Sequence, residues 1–497
     1  MVTALLALPL IAGLAAFIIK DDTLRRKMLV STAAGHSLLA AALFVARFYF
    51  PCTAESAPPG TWFSLDSLGL IFMGITSFLF LGAAIYCVSY LALEKRDPGE
   101  EAEEGFIFNN APEPVFTGCL LLFLAAMTAV AASRHLGILW AAVEATTLLS
   151  APLIYFHRHK RSLEATWKYL LICSVGIALA LMGNLFLGAA GLKTDFGLNL
   201  DSLLGGAALL DRPLLKAAFL FLFVGYGTKM GLAPFHTWLP DAHSEAPAVV
   251  SALLSGALLN CAFLGILRIV QICAGAGLAD FCGGILVLFG LLSLITAGLF
   301  ILGQRDYKRL LAYSSIEHMG IMALGTGLGG GAVYGALLNS IGHSLTKAGL
   351  FFTSGLILAA CKTKNISDVK GLLGRAPKTA ALWLTGLFLI TGTPPSGIFL
   401  GKFLILREAI ASGKYLVAGV YLCFLAIIFA GMARIFIDMT FGVREAQVHD
   451  EKDFNELPGM IWPAAILFIC AVALGLYVPG WLDTLLNDAR ALIGRVL

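Results

Sequence analysis

Long apolar runs separated by short polar turns fill almost the whole chain. They stand at residues 2–19, 28–50, 67–92, 115–132, 135–156, 163–191, 213–239, 245–272, 279–302, 309–328, 331–360, 377–411, 414–440 and 459–479. About 20 apolar residues cross a bilayer core as a helix, so each run predicts one membrane span. The runs are continuous and do not alternate in twos, which excludes a β-barrel. The expected fold is an all-α polytopic membrane protein of about 14 transmembrane helices. A secretory leader places its positive charge before the apolar stretch. Here Lys20, Arg25, Arg26 and Lys27 follow it, so residues 2–19 are expected to be a retained span.

The loops orient the chain. Those after odd-numbered spans hold 19 of the 34 basic residues, among them Lys95, Arg158, Lys160, Arg161, Arg305, Lys308, Arg309, Lys362, Lys364, Lys378, Arg444 and Lys452. Ten lie on or near the other side: Arg47, Arg134, Lys193, Arg212, Lys216, Arg268, Arg407, Lys414, Arg490 and Arg495. The positive-inside rule then makes the first set cytoplasmic and puts both termini outside. Loop 94–114 is acidic instead, with seven Asp or Glu, and reads as a solvated loop or a docking surface.

Composition agrees with the pattern. Of 497 residues, 59% are hydrophobic and 13% charged, where a soluble domain carries about 25% charged residues. A soluble enzyme, a disordered protein and a nucleic-acid binder are excluded, the last because a net charge of +3 is too small. The ten cysteines are scattered and none forms a CxxC. No metal, iron–sulfur or other redox centre is therefore expected in this chain.

Five basic residues remain inside the runs: Lys168, Lys229, Lys347, Lys402 and Arg434. Glu144 lies mid-span in the fifth run and His343 in the eleventh. A charge at the bilayer centre costs roughly 3 kcal/mol even on lenient scales, and packing a bundle does not require it. Glu144 reads as a structural ion pair or as a working carboxylate. Lys229 sits in Gly-Thr-Lys229-Met-Gly231-Leu-Ala-Pro234, where Gly231 and Pro234 loosen the helix just beyond it. Broken helices at membrane depth line polar cavities, and a lysine held away from water takes and releases protons more readily. The twelfth span repeats the theme: Thr391-Gly-Thr-Pro394-Pro395-Ser-Gly397 interrupts it and Lys402 follows. Five spans apart, the two broken helices cross in opposite directions, the mark of inverted repeats. The repeats are placed at spans 4–8 and 9–13.

His343 and Lys347 share a helix face at i, i+4, and His is a natural proton relay. Lys168 is near enough to its span's edge to snorkel, and Arg434 reads more as an anchor. Glu317 and His318 read as an access route or a local cap. His236 and His243, beside Asp241, are weak as metal ligands and read as a wetted entrance or as packing. The ordered row Glu144, Lys229, His343, Lys347, Lys402 makes proton or sodium translocation the leading function.

These residues resemble a known family. Gly-Thr-Lys229-Met-Gly-Leu-Ala-Pro-Phe-His236-Thr-Trp-Leu-Pro-Asp-Ala-His243-Ser-Glu-Ala-Pro is similar to the signature of antiporter-like subunits of respiratory complex I and Mrp antiporters. Arg305-Asp-Tyr-Lys-Arg-Leu-Leu-Ala-Tyr-Ser-Ser-Ile-Glu317-His318 and Gly342-His343-Ser-Leu-Thr-Lys347-Ala resemble its second half. The match covers roughly spans 3–13. Ser-Ser-Ile-Glu-His-Met-Gly and Trp167-Lys168-Tyr-Leu-Leu-Ile-Cys-Ser-Val-Gly look most like hydrogenase-4 and formate-hydrogenlyase-type subunits. The resemblance implies two inverted five-helix half-channels, each with a broken helix. It implies pairing of Glu144 with Lys229, a relay through His343 and Lys347, and Lys402 as the terminal residue. Complex I subunits commonly carry a linking lysine where this chain has Asn260, which cannot ionise. Only residues 480–497 follow the last span, where the largest complex I subunit has a long arm.

The expectation is a proton-translocating subunit of a prokaryotic inner-membrane redox complex. It has no catalysis and no cofactor of its own. Iron–sulfur clusters, with or without nickel–iron, would sit in a peripheral partner arm beside other membrane subunits. The alternatives are a Mrp-type sodium/proton antiporter subunit and a scaffold that has lost pumping. The organisation expected is 1–114 (spans 1–3 and the acidic loop), 115–272 (first half-channel), 279–440 (second half-channel) and 441–497 (last span and short tail).

Overall fold

The computed structural model describes residues 1–49, 61–96, 102, 103, 106, 107, 110–192, 197–443 and 456–494. Most of loop 94–114, and Lys193, Arg444, Lys452 and Arg495, used above for orientation, lie outside the described residues. Among the described residues the secondary structure is helical apart from Ala102–Glu103 and Phe106–Ile107, which pair as two-residue antiparallel strands, and isolated bridges. Before the first break run α1 (Val2–Ala16), α2 (Asp22–Tyr49), α3 (Ser67–Arg96), α4 (Glu113–Ala132), α5 (Leu136–Ile154), α6 (Lys160–Ala190) and α7 (Arg212–Met230). After it come α8 (Trp238–Glu245), α9 (Ala248–Gly275), α10 (Ala279–Ile301), α11 (Tyr307–Leu328), α12 (Gly330–Cys361) and α13 (Pro377–Thr391). The second break precedes α14 (Gly397–Ala411), α15 (Tyr415–Phe441), α16 (Pro458–Leu476) and α17 (Gly480–Gly494).

Among the described residues, ten helices are long and apolar enough to cross a membrane. The shortfall from the fourteen runs has local causes. Helix α1 has 15 residues, and the middle of α11 is made polar by Ser314, Ser315, Glu317 and His318. The runs 213–239 and 377–411 are each split in two, as α7 with α8 and α13 with α14.

The two breaks have one construction. A glycine in the left-handed region closes the first half, Gly231 at φ +79° and Gly392 at φ +81°, where a side chain would strain the backbone. A Cβ on Gly231 would also stand 2.5 Å from Leu239 Cδ1. Pro234 or Pro394–Pro395 follows and cannot donate to a continuing helix. Helix α14 then restarts on Ser396, whose Oγ accepts from Phe399 N at 3.1 Å.

The core is centred on α9, which is buried over its whole apolar window, with α12 next to it. Its polar side chains Ser251, Ser255, Asn260, Arg268 and Gln271 are all buried, and such groups are satisfied among protein partners and not by lipid. Helix α9 holds a π-turn at Leu254–Leu258, and Asn260 Nδ2 donates to the Gly256 carbonyl there at 2.9 Å. After the last long apolar run, residues 480–494 form the amphipathic α17, which buries Leu482, Leu485, Leu486, Ala489 and Ile493.

Arg268, counted with the outer loops, lies within α9 and is 1% exposed. It is held by Asp66 at 2.5 and 2.7 Å, and Arg134 donates to the same carboxylate at 2.9 Å. Burial alone would raise the Asp66 carboxyl, but the two guanidiniums hold it well below the usual carboxylate range. Because the folded value lies below the unfolded one, this stability is present above about pH 4 and fades on acidification toward the folded value. Asp66→Asn strands Arg268 and is expected to cost about 3–5 kcal/mol, read as a fall in unfolding temperature in detergent. An unchanged melting curve would show that the arginine is satisfied elsewhere.

Candidate functional site

Lys229 occupies the last turn of α7, one residue before Met230 and the Gly231 closure. Its side chain is 0% exposed. Nζ donates to Thr147 Oγ1 at 2.6 Å and to the Tyr169 hydroxyl at 2.7 Å, and stands 4.6 Å from the centre of the Tyr169 ring. Thr147 in turn donates to Glu144 Oε2 at 3.2 Å, and Ser174 donates to Oε1 at 3.1 Å. Glu144 and Lys229 are thus joined through a hydroxyl and do not touch. Glu144 and Thr147, at i, i+3 on α5, face the same side. The carbonyl of Thr228, next to the break, accepts from Trp238 Nε1 at 2.8 Å, so the first residue of α8 covers the end of α7.

The second cluster is built on the other break. Lys402 Nζ lies 2.8 Å from Glu317 Oε1 and donates to the Thr391 carbonyl, beside the break, at 3.2 Å. Glu317 is 1% and Lys402 6% exposed, so this is a buried ion pair. The pair raises Glu317, read from sequence only as an access route or cap, to the level of Lys402. His318 Nε2 donates to the Ile390 carbonyl at 3.0 Å, and its ring centre is 4.8 Å from that of His343. Neither nitrogen of His343 has a hydrogen-bond partner among the described residues. Lys347, one turn further along α12, donates to the Leu311 carbonyl and to Ser314 Oγ.

Hydroxyls and Asn260 fill the space between the clusters. Asn260 Nδ2 donates to Ser344 Oγ at 2.6 Å, and Ser255 and Ser315 share a 2.8 Å hydrogen bond. Asn260 Oδ1, Glu317 Oε2, His318 Nδ1, both atoms of the Asn339 amide and both His243 nitrogens are buried without a hydrogen-bond partner among the described residues. A buried polar atom left dry costs about 1–3 kcal/mol.

The remaining candidates lie at the edges of this row or outside it. Lys168 is 45% exposed at the rim, paired with Glu164 at 2.6 Å and Asp241 at 3.0 Å, and is not in the mid-membrane row. His236 meets Tyr313 edge-on with ring centres 6.2 Å apart. His243 is buried and stacked on Phe351 at 4.9 Å. Arg434 is exposed. Among the described residues no three His, Cys, Asp or Glu are grouped to hold a metal.

Sequence reasoning passed over Thr147, Tyr169, Ser174, Ser314 and Ser344. A hydroxyl three residues from a mid-span Glu was the one visible signal. It also missed His36, which is 0% exposed. His36 joins Ser77 and Thr128 at 3.0 Å each, in α3 and α4.

Two helix breaks, each presenting a buried lysine near a carboxylate inside an apolar bundle, define the class: an integral membrane protein with ionisable groups in its interior. Residues 133–428 match the family model described as NADH:quinone oxidoreductase/Mrp antiporter, TM, and the chain belongs to that family. It is 35% identical to a hydrogenase-4 component F homolog from Methylacidiphilum infernorum over 85% of this chain and 87% of that protein. It is 30% identical to hydrogenase-4 component B of Escherichia coli over 70% of this chain and 52% of that protein. A chain of respiratory complex I from Thermus thermophilus superposes with a TM-score of 0.74 at 25% identity, over 96% of this chain and 97% of that one. An archaeal membrane-bound sulfane sulfur reductase shares the fold, with a TM-score of 0.84 at 21% identity, over 100% and 99%.

Proposed function

We propose that the chain is a proton-translocating, antiporter-like membrane subunit of a redox complex of the hydrogenase or complex I type. The observation that carries this reading is the pair of broken helices, each with a buried lysine set against a carboxylate: Lys229 near Glu144, and Lys402 on Glu317. Between them His343, Lys347, Asn260 and the unpartnered amide of Asn339 form a polar row that ordered water can complete. A proton moves along such a row by exchange between neighbouring groups, driven by changes in the charge pairs at its ends.

The reading includes fourteen spans, with inverted repeats at spans 4–8 and 9–13. The units are those expected from the sequence: 1–114, 115–272, 279–440 and 441–497. The subunit sits in a prokaryotic inner membrane with both termini outside. Electron transfer is assigned to iron–sulfur partners, with nickel–iron in a hydrogenase assembly, and further membrane subunits adjoin this one. The proposed path takes Glu144, Lys229, His343, Lys347 and Lys402 as its main stations. Glu317 and His318 join them, and His236 and His243 lead in from the cytoplasmic side.

The test uses the complex purified from its host in sealed vesicles, with turnover started by its electron donor. Proton uptake that survives removal of sodium is the expected result. Transport that requires sodium would favour a cation antiporter instead. In parallel, single cysteines placed in 158–161 and 362–378 should react with an impermeant reagent only from the cytoplasmic face; labelling of 362–378 from outside would overturn the orientation.

A further inference from the structure

We propose that Asp241 and Glu245 of α8 latch the two half-channels together and carry a change at Lys229 to the Glu317–Lys402 pair. The inference rests on the proton-translocating reading above and adds the coupling route.

The two carboxylates stand at i, i+4 and so share one face of α8. Each bridges a basic side chain of the first half to a lysine or arginine of the second. Asp241 accepts from Lys168 on α6 at 3.0 Å and also pairs with Arg309 on α11. Glu245 lies 3.5 Å from His159 Nε2, at the start of α6, and 2.9 and 3.0 Å from Lys364, in the loop after α12. The residue between them in the turn adds a third tie, since Ser244 Oγ donates to Asp306 Oδ2 at 2.5 Å. Lys308 closes the end of α8 by donating to the carbonyls of Ser244 at 3.0 Å and Ala246 at 2.5 Å, where the helix dipole favours a cation.

The two ends of this latch reach the two charge clusters. Toward the first, Trp238 at the head of α8 is bonded to the Thr228 carbonyl, one residue from Lys229. Toward the second, α11 carries Lys308 and Arg309 in its first turn, then Ser314 under Lys347 and Glu317 under Lys402. Arg309 and Glu317 are eight residues apart on one helix, about 12 Å of rise. Helix α8 follows the break, with residues 232–237 between Gly231 (φ +79°) and Trp238, and ends at the Ala246–Pro247 turn. A shift of the α7 end on loss of the Lys229 charge therefore reaches α11 by two routes: directly through Asp241 and Arg309, and through Glu245 and Lys364, whose carbonyl accepts from Tyr307 N of α11 at 3.2 Å. The two acids contribute unequally. Glu245 is 10% exposed and Asp241 21%, against partners 25% and 37% exposed in the second half. Exposed pairs hold weakly, so Glu245 is the stronger tie.

The experiment compares Glu245→Gln, Lys364→Gln and the charge-swapped pair Glu245→Lys with Lys364→Glu, each in the whole complex. In sealed vesicles each single variant is expected to keep its redox turnover while protons moved per electron fall at least threefold. The swapped pair should return to within twofold of the parent. A second measurement separates coupling from simple bracing and needs no pumping. In the parent, Lys229→Ala should alter hydrogen exchange across residues 308–318; with Glu245→Gln also present that response should vanish. An exchange response that persists in Glu245→Gln, or an unchanged proton ratio in both single variants, overturns the latch. Should Glu245→Gln fail to assemble, Lys364→Gln and Arg309→Gln leave the carboxylates their first-half partners, and unchanged values in both overturn it equally. If the unaltered complex moves no protons, the translocation reading fails. The exchange comparison then still decides whether the two halves are coupled.

Discussion

Lys229→Ala is expected to abolish proton uptake by the assembled complex, and Glu144→Gln to reduce it at least tenfold. The geometry gives the scale. Lys229 Nζ is 2.6 Å from Thr147 Oγ1, which is 3.2 Å from Glu144 Oε2, so the two charges lie within about 6 Å. At an effective dielectric of about 20, that attraction is about 2.8 kcal/mol. Moving one charge against 100 mV costs about 2.3 kcal/mol, so the pair is matched to the work of one transfer and no more. Because the contact runs through Thr147, a rotation of one hydroxyl lengthens or restores the link without disturbing the helix. Thr147→Val removes that hydroxyl at constant shape and should slow transfer while both charges remain. Tyr169 keeps Lys229 in place through its hydroxyl and ring. Assembly should survive, since the space left by alanine is lined by the Thr147 and Tyr169 hydroxyls, which water can satisfy, and no charge was in direct contact with the lysine. Proton uptake in sealed vesicles is the measurement. Parental uptake by a correctly assembled Lys229→Ala complex would show that this lysine is structural.

Much of this arrangement is legible in the sequence because a bilayer makes it so. Water is absent from the hydrocarbon, so a lysine or glutamate in an apolar run stands out at once, and Lys229, Lys402 and Glu144 were found that way. Both breaks were equally visible, since Gly231 with Pro234 and Gly392 with Pro394–Pro395 can serve no continuous helix. What stayed hidden depends on which faces meet. Glu317 lies in a run also bearing Lys308 and Arg309, and nothing in its spacing says that it meets Lys402, 85 residues on. The hydroxyls of Thr147, Ser174 and Ser314 are ordinary residues in any helix and gain meaning only from their partners. Arg268 was placed with the outer loops because it is near a span end, whereas Asp66, 202 residues earlier, draws it into the core. The stripe Leu482, Leu485, Leu486, Ala489 and Ile493 has helical spacing, but it is too short to span a membrane, and only the packed bundle shows that it is buried.

Glu317→Gln is expected to lose both stability and transport, and a second substitution should separate the two effects. Lys402 is 6% exposed, and its one carboxylate contact among the described residues is Glu317 at 2.8 Å. Removing one partner of a buried pair leaves the other charge uncompensated, at a cost of about 3–5 kcal/mol. The Thr391 carbonyl at 3.2 Å offsets only part of this. Replacing both members with neutral groups of similar size is usually close to neutral. The double variant Glu317→Gln with Lys402→Met should therefore recover most of the lost unfolding temperature, because the Gly392 break holds the same path with or without the ion pair. It should not recover proton uptake, because positions 317 and 402 then hold no ionisable group, and the next ones along α14 are Arg407 and Glu408, more than a turn further on. Asn260→Ala provides the contrast. It removes neutral hydrogen bonds to Gly256 and Ser344, each worth about 1 kcal/mol, and should leave most transport in place. Unfolding temperature in detergent and proton uptake in vesicles give the two readings on the same preparations. Parental uptake by the double variant would remove Lys402 from the path and reduce the second break to a structural feature.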